Sequence, residues 1–203
     1  SCPSLRQQRS ISASKATRGT FTELSFRASP GIEQDLTFAG VTLSTAWFAS
    51  VHEDILVAAT RAVVDLQAGA VPFYEQASFG AFAPAFGPGG GRSVRGVPLQ
   101  RFAGKLKALL NLELRARLLP FEVFGQKINL GLIGFADTGR VWADVETFTL
   151  GGAPIDGPFS DFALGLGGGL RAQWGETFII RGDFGYAPTE GTTGLYIDVG
   201  HIF

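Results

Sequence analysis

The chain has 203 residues and a formal net charge of −1, and it is 45% hydrophobic but only 17% charged. This length suits one domain with a sizeable core, or part of a larger domain. The nearly neutral charge argues against a nucleic-acid surface, and two histidines with one cysteine exclude zinc clusters and a disulfide framework.

The N-terminal segment, residues 1–14, is polar and lacks the apolar centre of a signal peptide. The sequence contains no methionine, so we expect a processed protein or a fragment. No stretch approaches the roughly 18 consecutive apolar residues of a transmembrane helix. The positive mean hydropathy of +0.20 must therefore come from dispersed hydrophobic residues.

The first third of the chain predicts three β-strands, because apolar and polar residues alternate with a period of two. Two weaker strands are predicted near Thr20–Ser29 and Thr37–Ala49. In the third, a row of mostly apolar residues faces away from Arg61, Asp65 and Gln67. That row is Leu56, Ala58, Thr60, Ala62, Val64 and Leu66.

A long non-periodic loop follows, from about residue 72 to residue 104. It contains a glycine-rich run that ends in Ser93-Val94-Arg95-Gly96-Val97. A loop of this length inside a compact domain is usually functional. The run is not a phosphate-binding loop of the Walker type, because no Gly-Lys-Ser/Thr sequence closes it.

The second half of the chain predicts five further strands. Between Lys105 and Pro120, leucines and alanines alternate with charged and amide residues, and similar alternation recurs four more times. By parity, the polar faces carry four charged residues that we expect to point the same way: Glu113, Arg115, Arg117 and Asp137. In the glycine run Gly165–Gly169, small residues would let another segment pack against the inner wall.

About eight strands, several with 10 residues or more, predict an all-β, transmembrane antiparallel β-barrel. Such strands match the ~9–11 residues that cross a bilayer when tilted. Trp142 and Trp174 lie near the ends of apolar faces, where an interfacial aromatic girdle belongs. The alternative is a soluble β-sandwich, whose apolar faces would form the core; we favour the barrel because the strands are long and the polar faces carry glycine and paired charges.

The order and spacing of three motifs resemble the bacterial surface-antigen superfamily, whose best-known members are the outer-membrane assembly barrels BamA and TamA. The motifs are Ser93-Val94-Arg95-Gly96, then Asn111-Leu112-Glu113-Leu114-Arg115, then Gly134-Phe135-Ala136-Asp137-Thr138-Gly139-Arg140-Val141-Trp142. The alternating, aromatic-ended C-terminus, residues 195–203, is similar to the assembly signal of outer-membrane barrels. The resemblance covers residues 15–203 and implies the C-terminal half of a larger barrel.

The resemblance implies roles for individual residues. Val94, Arg95 and Gly96 would form a loop tip that folds into the barrel lumen. Arg95 would meet Asp137 there, with Glu113 as a neighbour and with Arg115 and Gly139 on the same wall. Ile197, Val199 and Phe203 would belong to the assembly signal.

The chain also departs from the family pattern. Val97 stands where the family has an aromatic residue, and Phe102 is a candidate replacement. The family's POTRA domains, which receive clients, and its first strands, which form a seam with the last, do not lie within these residues. An eight-stranded barrel has a lumen just wide enough for side chains. We therefore expect the loop to lie outside, or the barrel to be completed by upstream sequence or by a second copy, and we favour upstream sequence.

The implied function is assistance with the insertion of outer-membrane proteins or with polypeptide translocation, in the bacterial outer membrane. The implied partners are outer-membrane lipids, client outer-membrane proteins and accessory lipoproteins. The alternative is a passive pore or structural barrel without assembly activity. An enzyme is not expected, because the chain has no Gly-x-Ser-x-Gly elbow and no free pair of catalytic carboxylates, and no cofactor is expected.

Overall fold

The computed structural model describes residues 18–31, 36–52, 55–80, 87–123, 126–144, 158, 160–174 and 178–200. These residues form eight strands and one short helix, so the prediction of an all-β chain with about eight strands is confirmed. The N-terminal segment, residues 1–14, lies outside the described residues. The elements are β1 (Gly19–Pro30), β2 (Thr37–His52), β3 (Leu56–Gly69), α1 (Phe73–Gln76), β4 (Leu106–Val123), β5 (Gln126–Trp142), β6 (Ala163–Trp174), β7 (Phe178–Ala187) and β8 (Thr192–Val199).

The strands form one antiparallel sheet in sequence order, in which each strand pairs with the next. Within the described residues, β1 and β8 are the two edges of this sheet. The segment between β3 and β4 is the long loop, and α1 lies at its start. No helix in the described part of the chain is long and apolar enough to cross a membrane, a finding that has no bearing on crossing by strands.

The sheet exposes its apolar face and buries its polar face, which is the reverse of the usual arrangement in a soluble protein. The apolar face is the exposed one: Leu112 of β4 is 47% exposed and Ile197 of β8 is 77% exposed. The polar face is the buried one, with Asn111 and Asp137 fully covered. A sandwich would bury its apolar faces against each other, so this arrangement contradicts the sandwich and matches strands that face lipid on one side and a lumen on the other.

Aromatic side chains mark one end of the outer face. Phe121 pairs with Ile128, Ile128 with Trp174, and Trp174 with Phe178, so they form one row across four strands. The prediction for Trp174 therefore agrees with its position on this exposed face.

The prediction for Trp142 was wrong, because this residue is buried at the opposite end of β5. Its indole meets the ring of Phe162 edge-on, with ring centroids 6.1 Å apart, and the Arg140 guanidinium lies 5.3 Å from the indole. The backbone of the long loop returns past this strand end at Gly104, so close that a Cβ there would lie 2.3 Å from the Trp142 carbonyl oxygen. Trp142 is thus covered by protein and contributes nothing to the exposed girdle.

The long loop folds onto the polar face and brings its own apolar residues with it. Val94 and Val97 are buried in a small cluster with residues of the wall, and Phe102 packs against that cluster. The loop therefore lies on the inner side of the sheet, as the inward-folded loop of the sequence prediction requires. The wall and neighbouring members of the cluster are Val63, Phe79, Leu109, Ala163 and Ala187.

Candidate functional site

The strand register places the polar residues of the inner wall side by side. Asn111 of β4 lies directly opposite Asp137 of β5, and Asp137 lies opposite Gly165 of β6. One position along the same face, Glu113 lies opposite Phe135. Directly opposite residues in an antiparallel pair have Cβ atoms roughly 5 Å apart, so these side chains form one compact patch.

Arg95 enters this patch from the loop and is fully buried. Its Nε donates to Asp137 Oδ2 at 2.7 Å and its Nη2 donates to Asp137 Oδ1 at 2.9 Å, which is a bidentate pair. Its Nη1 donates to Glu113 Oε1 at 2.8 Å and to Asp183 Oδ2 at 3.5 Å. The main-chain N–H of Arg95 also donates to Asp137 Oδ2 at 3.1 Å.

The face of the guanidinium is covered by an aromatic ring. The central carbon of the Arg95 guanidinium lies 3.4 Å from the centroid of the Phe135 ring, a cation–π contact in a desolvated site. The aromatic partner thus comes from the wall and not from the loop position that Val97 holds or from Phe102. Val97 is instead fully buried in the apolar cluster.

Asn111 fixes the orientation of the central carboxylate and holds the loop backbone as well. Its Nδ2 donates to Asp137 Oδ1 and to the carbonyl oxygen of Ser93, both at 2.7 Å. Its Oδ1 accepts from Arg61 Nε at 3.0 Å and from Nη2 at 2.7 Å. The amide therefore connects a β3 cation, the β5 carboxylate and the loop in a single hydrogen-bonded network.

Glycines on both sides allow the loop backbone to touch the wall. Gly96 has φ +98°, and a Cβ there would lie 2.6 Å from the Ala187 nitrogen. A Cβ on Gly165 would lie 2.1 Å from the Arg95 carbonyl oxygen, which confirms that this glycine run makes room for a packed segment. At Gly139, an added Cβ would lie 3.0 Å from Val94 Cγ2, so Val94 packs directly over that position.

The electrostatic surroundings keep Arg95 charged. Burial alone would lower the pKa of the guanidinium, but the hydrogen bond to Asp137 and the charges of Asp137, Glu113 and Asp183 raise it above its ordinary value. A buried charge of this kind is stable only when it is paired. Removing Arg95 would leave several buried carboxylates without their shared cation.

The remaining predicted site residues take different positions. Arg115 pairs with Glu113, Nη2 to Oε2 at 2.8 Å, and so reaches Arg95 through that carboxylate. Ile197 and Val199 lie on the exposed outer face of β8, at 77% and 57% exposure. Phe203 lies outside the described residues.

A second buried cluster of charged residues was not predicted from the sequence. Asp65 of β3 lies opposite Lys107 of β4, and Lys107 Nζ lies 2.9 Å from Asp65 Oδ2. Arg27 of β1 also pairs with Asp65, at 2.9 Å. Lys107 Nζ donates to the carbonyl oxygens of Glu75, Gln76 and Gly104, so this cluster holds both ends of the loop. The parity of Asp65 and Lys107 signalled the shared face, but only the register makes them neighbours.

Comparison with known families agrees with this geometry. The chain matches the family model described as the Omp85 superfamily domain over residues 12–203. It belongs to the Omp85 superfamily. The resemblance to surface-antigen barrels is confirmed at this level, and Omp85 superfamily barrels act in outer-membrane assembly and translocation. A comparison with curated protein sequences finds no match.

Proposed function

We propose that this Omp85 domain forms part of a bacterial outer-membrane barrel that assists the insertion of outer-membrane proteins or the translocation of polypeptides. In this proposal, Val94, Arg95 and Gly96 pin the long loop inside the lumen. The observation that carries the proposal is the complete burial of Arg95 among Asp137, Glu113 and Asp183, with Phe135 against its guanidinium.

The position of the loop supports a barrel of more than eight strands. A closed eight-stranded barrel has an interior that side chains alone fill. Here a whole loop segment occupies the inner face, and the backbone of Gly96 is hydrogen-bonded to residues of β8 at 3.0 and 2.8 Å. We infer that further strands, from upstream sequence or from a second copy, complete the barrel around the loop.

The chemistry of the two faces supports the proposed partners. The exposed leucine and isoleucine face suits the acyl chains of outer-membrane lipids. Client outer-membrane proteins and accessory lipoproteins are proposed from membership of the superfamily. A substrate that crosses the lumen would have to move past the loop, so the attachment of the loop is the feature to test.

The test is substitution of Arg95 in the full natural protein in its own outer membrane. R95A is expected to lower the free energy of unfolding by about 3–5 kcal/mol, because it leaves the buried Asp137 carboxylate without its cation, whereas Glu113 and Asp183 keep other arginine partners. We expect a loss of heat-modifiable barrel on gels and lower levels of client barrels. R95K keeps the charge but loses the bidentate geometry, and an intermediate result is expected.

The matched control is R101A, which removes an exposed loop arginine whose partner Glu190 lies 3.3 Å away at the rim. It is expected to leave heat-modifiability and client levels unchanged. Unchanged client levels in R95A would contradict the assembly role. Measurable conductance in planar bilayers together with that result would instead support a passive pore.

A further inference from the structure

The last strand, β8, has little of its own to hold it in the sheet. It is eight residues long, and within the described residues it pairs only with β7. Its outward side chains Leu195, Ile197 and Val199 are exposed and pack against no protein core. Within the described residues, backbone hydrogen bonds hold β8 from one side only, so contacts on its inner face add directly to what keeps it paired with β7.

The inner side of β8 is bound to the tip of the long loop. Asp198 Oδ2 accepts from Arg92 Nε at 3.0 Å and from Arg92 Nη2 at 2.8 Å. The Tyr196 hydroxyl accepts from the Gly96 N–H at 3.0 Å, and Thr192 Oγ1 donates to the Gly96 carbonyl oxygen at 2.8 Å. Three inward residues of the strand, Thr192, Tyr196 and Asp198, thus contact the loop between Arg92 and Gly96.

The contact is close enough to be shape-specific. A Cβ on Gly91 would lie 2.8 Å from Cδ1 of Tyr196, so the aromatic ring packs directly on the loop backbone. Arg181 of β7 donates to both the Gly91 carbonyl oxygen, at 3.1 Å, and Asp198 Oδ2, at 3.2 Å. The loop, β7 and β8 therefore meet in one hydrogen-bonded junction.

The same stretch of loop is also bound, on the same inner face, to strands that are not next to β8. Arg61 of β3 donates from Nη2 to the Arg92 carbonyl oxygen at 2.6 Å, and Arg95 is paired with Asp137 of β5. β8 is thereby linked through the loop to strands that lie three and five places away in the sheet. Among the described residues, backbone pairing links β8 to β7 alone.

We propose that residues 91–96 of the loop brace β8, with Arg92, Tyr196 and Asp198 as the positioning residues. The position of the loop against the inner wall then sets how firmly β8 stays paired with β7. The brace depends on the contacts between the loop and β8, and not on the Arg95 contacts. A result that contradicts the brace would therefore leave the proposed function intact.

The experiment is amide hydrogen exchange on the full natural protein in outer-membrane vesicles, followed separately for β8 and β5. R92A removes the ion pair with Asp198 but keeps the main-chain carbonyl of residue 92, which still accepts a hydrogen bond from Arg61. Y196F removes only the hydroxyl that Gly96 contacts and keeps the ring on Gly91, so it is safe for folding. R92K should retain part of the effect of the native residue.

Each of R92A and Y196F is expected to accelerate amide exchange in β8 by about threefold to tenfold. This factor corresponds to the loss of one partly exposed ion pair in R92A, or of one hydrogen bond to a hydroxyl in Y196F. Exchange in β5 is expected to stay at the native rate. The matched control is K105A, which breaks a pair with Asp144 at 2.6 Å at the base of the loop, next to β4 and β5, which lie at least three strands from β8 in the sheet. Unchanged β8 exchange in both variants, or equal acceleration in every strand and in K105A, would overturn the brace.

Discussion

At the scale of single residues, the site depends on backbone contact as much as on charge. Arg95 reaches Asp137 only because Gly96, which follows it, lies against the backbone between Tyr186 and Ala187. Gly96 also adopts a left-handed conformation, at φ +98°. A side chain at this position would both strain the backbone and push the loop tip off the wall.

We therefore expect G96A to reproduce much of the stability loss of R95A although every charge is retained. The left-handed backbone should cost about 1–2 kcal/mol, and the forced displacement of packed backbone about 1–3 kcal/mol more. The matched control is G191A, because Gly191 has φ +67° but open space around it. G191A should show only the cost of the left-handed backbone, measured as the decrease in the free energy of unfolding by denaturant in lipid vesicles. Equal losses in the two variants would contradict the close packing of Gly96.

Part of the site was predictable at this scale and part was not. Parity placed Glu113 and Asp137 on one face, and the family resemblance supplied the link from Asp137 to Arg95. The roles of Asn111 and Phe135 were not predictable, because they depend on which residues the register places opposite each other. Register follows from turns and bulges, such as the shift between Arg117 and Pro120, that alternation alone does not encode.

At the scale of elements, two buried charge clusters hold the long loop. Arg95 pins its tip, and the Asp65–Lys107 cluster holds its two ends, where Lys107 binds three backbone carbonyl oxygens. A buried lysine with this set of partners is costly to remove, because the carboxylate it neutralises stays behind in a desolvated site.

K107M is expected to lower the free energy of unfolding by about 3 kcal/mol, at the low end for a broken buried pair because Arg27 still faces Asp65. K105A, two residues earlier, removes a partly exposed pair with Asp144 and should cost about 1 kcal/mol or less. Chemical unfolding of both variants in lipid vesicles measures this difference. If K105A were as destabilising as K107M, the buried cluster would not be what holds the base of the loop.

The strands themselves were the most predictable elements. All eight followed from the period of two, including the two weak ones, β1 and β2, because alternation directly reflects which face meets which environment. Trp142 shows the limit of that reasoning. Its position in the alternation matched the apolar face, but the indole is buried and packs edge-on against Phe162, a contact that alternation within β5 does not encode.

At the scale of the whole molecule, the sheet has an apolar outer face and a charged inner face, and the long loop packs against the inner face. The sheet buries few large apolar side chains, and the fully buried positions include Arg95, Lys107, Asp137 and Asp183. Such an interior is stable only while each charge has its partners, so the loop and the wall depend on each other.

The measurement that tests this dependence most directly is thiol labelling of the loop in membranes that contain the full natural protein, in a background where Cys2 is replaced by serine. S93C lies at a fully buried position beside Arg95, and L99C lies at a position that is 67% exposed. With Arg95 present, S93C is expected to react with a membrane-impermeant reagent more than about tenfold more slowly than L99C. In R95A the two rates should become similar. Rapid labelling of S93C with Arg95 intact would contradict a loop held against the inner wall.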